Sequence, residues 1–179
     1  TPSGLGRILG QLGLTLVQQE CMALDLRGWS SPAPPDLPLA INEVTTPESF
    51  SDYSEAFRGF GMDEATHQGK MLMLEQVGYG SGKPIRHFVG YCGDRPVGCS
   101  SIVFAAGVAG VYWVATQPAW RGRGIGTAMT AAACRLAVRE GYRYCVLGAS
   151  KLGAPIYRQM GFRDTGSLSV YRFRPFGCP

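Results

Sequence analysis

The sequence predicts a mixed α/β sheet, on three observations. After residue 38, helical and strand-like runs follow in the order β-α-α-β-β-β-α-β-α-β, which neither an all-helical nor an all-strand fold produces. The three consecutive strands are joined by turns too short to hold a helix, so they form an antiparallel meander. A glycine-rich run, Trp120-Arg-Gly-Arg-Gly-Ile-Gly-Thr127, lies where the third of them passes into a helix, a position that favours anions.

Each element has its own local cause. Residues 1–28 read as a short helix ending near Gly13, then an apolar strand around Thr15–Leu26. Trp29-Ser-Ser-Pro-Ala-Pro-Pro-Asp-Leu-Pro38 is a stiff, extended linker, so residues 1–38 read as an extension ahead of a main domain at 39–179. Leu39–Val44 is a short strand. Thr46-Pro47 starts a helix, with a capping hydroxyl and proline in the first turn, and Gly59 and Gly61 stop it. Its Phe50, Tyr53, Phe57 and Phe60 share one face, either as core or as the edge of a pocket. Asp63–Val77 is a second helix, and residues 78–84 a glycine-rich loop. Ile85–Tyr91, Val97–Phe104 and Ala109–Thr116 are the meander strands. Ile125, Met129, Ala132 and Leu136 mark a helix closed by Gly141. Tyr144–Ala149 carries no charge and is expected to be buried on both faces in a parallel pairing. Lys151–Met160 is a short helix, and Ser167–Phe173 alternates like a last antiparallel strand.

Composition bounds the function. The 179 residues suit one domain, and 45% apolar with 11% aromatic residues is too hydrophobic for a disordered tail. A net charge of +4 is too mild to imply nucleic acid as a partner. The uncharged stretch Pro96–Trp120 is interrupted by glycines, serines and a proline, so it reads as two strands rather than a membrane span. Six cysteines without a C-x-x-C pair and only two histidines give no metal site, and are expected to be reduced thiols in a cytoplasmic protein. The chain begins at Thr1 rather than Met, as a piece of a longer protein would.

The glycine run is a pyrophosphate cradle on physical grounds. Unpaired amides and the helix dipole favour an anion, Gly122, Gly124 and Gly126 permit close approach, and Arg121 and Arg123 add charge. A solvated glycine-rich turn is the plain alternative. No Gly-Lys-Ser/Thr follows, which excludes a nucleoside-triphosphate loop, and the G-x-G-x-G spacing departs from the dinucleotide fingerprint.

Arg121-x-x-Gly124-x-Gly126, following Val114-Ala115-Thr116-Gln-Pro, resembles the coenzyme A loop of the GCN5-related N-acetyltransferase (GNAT) family. The run from Ser150 through Tyr157 to Gly161-Phe162 resembles that family's second signature, and the likeness covers roughly residues 39–173. It implies a GNAT fold in which the strand before the loop bulges and splays from its parallel neighbour. It further implies acetyl-coenzyme A as co-substrate, with backbone groups of Val114 and Thr116 on the pantetheine amides. The amides of Arg121, Gly122, Arg123, Gly124, Ile125, Gly126 and Thr127 would hold the pyrophosphate. Ser150 stands where many relatives carry Asn. Tyr157 matches the general acid, with a buried packing aromatic as its alternative.

The implied acceptor is a primary amine on a small or amino-acid-like molecule; a regulatory acyl-coenzyme A-binding module that does not catalyse is the alternative. The implied pocket lies near Phe57, Phe60, Tyr79, Tyr91, Tyr112 and Trp113. No carboxylate or histidine falls on Ala109–Thr116, so no base is assigned among Glu64, His67, Glu75, His87 and Asp94. His87 is expected to be a satisfied core residue and His67 a solvated one. The apolar strand near residues 14–26 needs a sheet to join, this chain's own or that of a second copy in a homodimer.

Overall fold

The computed structural model describes residues 4–173. It contains α1 (Leu5–Gln11), β1 (Leu14–Asp25), β2 (Leu39–Glu43), α2 (Pro47–Phe57), α3 (Glu64–Val77), β3 (Ile85–Cys92), β4 (Arg95–Ala105), β5 (Val108–Thr116), α4 (Ile125–Arg139), β6 (Tyr144–Ala149), α5 (Ala154–Gln159) and β7 (Arg163–Phe173). The strands form one seven-stranded sheet in the order β2-β3-β4-β5-β6-β1-β7. Every pairing is antiparallel except β5 with β6.

The helices begin where the sequence provides caps. At α2, Thr46 accepts from the Ser49 amide and Ser49 returns a bond to the Thr46 amide. At α3, Asp63 accepts from the Thr66 amide. The two sheet faces are then filled differently. Helix α4 buries Ile125, Met129, Ala133 and Leu136 against Met22, Val97, Ile102 and Leu147 on one face. On the other, α2 and α3 press Phe50, Tyr53, Phe57 and Leu74 onto Val89, Cys99 and Ala115. Burying each large apolar side chain contributes roughly 1.5–3 kcal/mol.

Strand β1 lies between β6 and β7, with Leu24 opposite Cys145 and Leu16 opposite Tyr171. It therefore joins its own chain's sheet. Met22 and Leu24, both buried, drive this placement. The pairing also lengthens β7, which starts at Arg163 rather than Ser167.

One expectation is corrected at β6. It was predicted to be buried on both faces, but its burial alternates, with Cys145, Leu147 and Ala149 inward and Gly148 exposed. The reason is that α2 packs on β3–β5 and, with α3, covers a core cluster that includes no residue of β6. Among the described residues no helix is long and apolar enough to cross a membrane. Pro96–Trp120 forms the β4–β5 hairpin, turned at Ala106-Gly107, both of positive φ.

Candidate functional site

The site is built where β5 parts from β6. Their parallel pairing covers Ala109 with Cys145 and Gly110 with Val146, and goes no further. On the opposite edge of β5, Ala115 faces Cys99 while Tyr112 faces Ser101, so three steps on β5 answer two on β4. That is a bulge, and Trp113 at its centre has φ 51, rare for a bulky residue. Bulge and splay together leave Val114 lining a gap between two strands, where an extended amide-bearing arm can bond backbone groups.

A turn at Pro118–Trp120 links β5 to the glycine loop. Gly122 and Gly124 both have φ 76, which explains the glycines there. Among the described residues, none of the amides from Gly122 to Thr127 bonds a backbone acceptor outside α4. They include the orphan donors of a helix start, and the loop that leads into it is exposed at Arg121–Gly124, while Ile125 is buried.

The arginines behave differently from one another. Arg121 donates to the Gly59 carbonyl at 2.7 Å and the Thr116 carbonyl at 3.3 Å. Its guanidinium thus ties the loop to β5 and to the end of α2. Its backbone amide, expected to bind the pyrophosphate, instead donates to the Pro118 carbonyl at 3.3 Å and closes the preceding turn. Arg123 lies over the Trp120 ring, 5.1 Å from its centroid. A cleft of about 540 Å³ opens beside this turn, lined by Arg58, Arg95, Gln117 and Trp120 among others.

Behind the loop, several sequence-predicted residues converge. A Cβ on Gly126 would lie 3.8 Å from the Thr116 hydroxyl. Thr130, one turn further along α4, donates to the Gly126 carbonyl at 2.9 Å, and its hydroxyl neighbours the Tyr157 phenol. The Tyr157 ring lies against Gly153, where a Cβ would come within 2.9 Å of it, and meets Phe162 edge-on at 5.9 Å. Ser150 accepts from the Gly153 amide at 3.1 Å and shapes this turn. Burial raises the Tyr157 pKa above its ordinary 10, a shift the Thr130 hydroxyl opposes, so the phenol keeps its proton at neutral pH.

The acceptor face shows what the sequence missed. His67, expected to be solvated, is buried, with Nε2 3.0 Å from the Ser54 hydroxyl. It turns inward because α3 presents the same side as Met71 and Leu74 to the sheet. His87 is in the core, as expected, but only half satisfied: Nδ1 meets Ser101 at 2.7 Å, Ser101 meets Tyr53 at 2.8 Å, and Nε2 has no partner. Burial lowers its pKa to about 4. Glu64 pairs with Arg58, and the Tyr91 hydroxyl donates to Asp52 at 2.8 Å. Of the predicted pocket aromatics, Phe57 is wholly core, while Tyr112 and Trp113 stand at the gap. Among the described residues no cluster of His, Cys, Asp and Glu could hold a metal ion, and the five described cysteines are free thiols; Cys178 lies outside them.

With that geometry, the class of domain can be stated. Residues 83–164 match the family model for the acetyltransferase (GNAT) domain, which runs from β3 into β7 and includes the bulge, the loop and Tyr157. The match covers just under half of the chain, and by it this segment is similar to the GCN5-related N-acetyltransferases. The fold is shared with solved structures of low identity. One is a GCN5-related N-acetyltransferase from Kribbella flavida, at 21% identity and TM-score 0.70, covering 94% of this chain and 63% of that one. Another, from Sphaerobacter thermophilus, has 22% identity and TM-score 0.66, covering 92% and 54%. A predicted acetyltransferase with acetyl-CoA from Clostridium acetobutylicum has 18% identity and TM-score 0.57, covering 71% and 91%. The chain thus spans 63% and 54% of the length of the first two. No curated protein matches the sequence.

Proposed function

We propose that the chain is an acetyl-coenzyme A-dependent N-acetyltransferase acting on a primary amine of a small or amino-acid-like molecule. The observation that carries this reading is the convergence of the β5–β6 gap, the open amides of Gly122–Thr127 and the protonated Tyr157 in the middle of the sheet, where β5 and β6 part. In this reading the loop amides hold the pyrophosphate, and backbone groups of Val114 and Thr116 hold the pantetheine arm. The Val114 amide polarises the thioester carbonyl. A preorganised donor of this kind is worth about 3–4 kcal/mol in the transition state.

The amine nitrogen attacks the carbonyl carbon, the carbon–sulfur bond breaks, and Tyr157 supplies a proton to the departing thiolate. The proton lost by the amine passes to solvent, because β5 offers no carboxylate or histidine. A non-catalytic acyl-coenzyme A-binding module is the second reading, favoured by that same missing base. Thiol release from acetyl-coenzyme A against a panel of primary amines separates the two: amine-dependent release supports the transferase, and tight binding without release supports the module.

A further inference from the structure

Beside the gap, a cation and a side-chain amide have no hydrogen-bonding or acidic partner among the described residues. Lys70, half-buried on α3, holds its ammonium 5.1 Å from the centroid of the Trp113 ring, at the crest of the bulge. Among the described residues it has no acidic partner and no hydrogen bond. Across the gap, Gly148 lacks a side chain and the Gln19 amide occupies that space: a Cβ there would lie 2.5 Å from its nitrogen. Gln19 comes from β1, ahead of the linker, and its amide also has no partner among the described residues. Continuing the β5–β6 register beyond Gly110 and Val146 sets Tyr112 opposite Gly148 on the same face, and Tyr112 is 45% exposed.

An ammonium without an acidic partner beside an amine-binding site is unfavourable, since it repels a protonated acceptor. It becomes favourable when the acceptor brings a negative charge. We infer that the acceptor bears a carboxylate as well as its amine, an amino acid or a similar zwitterion, with Lys70 binding the carboxylate and Gln19 supplying a second donor. This rests on the acetyltransferase reading and narrows its substrate class. The Trp113 and Tyr112 rings then flank the acceptor's apolar part, and Trp113 holds Lys70 in place by its ring face.

The test uses matched acceptors: phenylalanine, phenylalaninamide and 2-phenylethylamine, and the alanine set of alanine, alaninamide and ethylamine. The expected result is kcat/KM higher by about tenfold or more for the carboxylate-bearing member, mostly through KM. Lys70→Met should abolish that preference and leave the uncharged amines within about threefold, while Lys70→Arg should retain most of it. Gln19→Leu should raise KM for the amino acid by a smaller factor without moving coenzyme A affinity. Equal or faster transfer to the uncharged amines in the wild type, or a Lys70→Met variant that slows all members alike, overturns this inference and leaves the transferase standing. A chain that binds coenzyme A yet acetylates none of the six removes both.

Discussion

Replacing Gly126 by alanine separates cofactor binding from folding. Gly126 lies in the first turn of α4 with ordinary backbone geometry, and the added Cβ would meet only the Thr116 hydroxyl, at 3.8 Å. The fold therefore accepts the methyl, and alanine in place of glycine in a helix gains up to about 1 kcal/mol. The same methyl points into the corner between loop and β5, where the cofactor arm would pass. Losing one close approach there should weaken coenzyme A binding by about tenfold, or roughly 1.4 kcal/mol. Gly124→Ala is the contrasting variant. Its φ of 76 is strained for alanine, and its Cβ would sit 3.3 Å from Pro35 of the linker, so it should lose about 1–2 kcal/mol of stability as well. Titration calorimetry and thermal melting on both variants read the two effects apart. A Gly126→Ala chain that binds coenzyme A like the wild type would refute the loop assignment.

Tyr157→Phe should lower kcat by about 10²-fold or more with coenzyme A affinity nearly unchanged, and wild-type turnover would reduce the residue to packing. Because burial holds the folded His87 pKa near 4, below the ordinary 6.5, the folded state carries fewer protons there than the unfolded one. The stability this gives is complete above pH 6.5 and is lost as pH falls toward 4, by about 2–3 kcal/mol between pH 7.5 and 4.5; denaturant melts of His87→Gln should show a shallower pH slope in that window. Met22→Ala, at a side chain 1% exposed beneath α4, should cost about 2–5 kcal/mol by chemical denaturation, and a smaller loss would show that β1 is peripheral.

Local chemistry made much of this legible. Thr46 and Asp63 announce helix starts because a side-chain oxygen must satisfy amides a few residues away, and the glycine loop shows because few other residues take positive φ. What stayed hidden depends on distant partners. The pattern of Leu14–Asp25 says strand, but the choice of β6 and β7 as neighbours is settled by tertiary packing of Met22 and Leu24. The charge of Arg121 is visible in sequence, but its bonds to Gly59 and Thr116 are not. Gln19 and Gly148 meet only because β1 pairs with β6, and no spacing rule connects them.

The position of β1 also sets an order of events in folding. Of the described strands it is the first to leave the ribosome, and its partners, β6 and β7, follow on the order of a hundred residues later. At about 5–20 residues per second, its edges stand open for roughly ten seconds. Misassembly with another nascent copy is therefore concentrated in this interval, before β7 can pair. Leu14 ends up directly opposite Phe173, so the start of β1 and the end of β7 are adjacent in space. A circular permutant opened within residues 29–38 and closed by a short turn across that pair would make β7 and β1 a local hairpin. It should refold faster, with less concentration-dependent aggregation, and end in the same seven-stranded sheet.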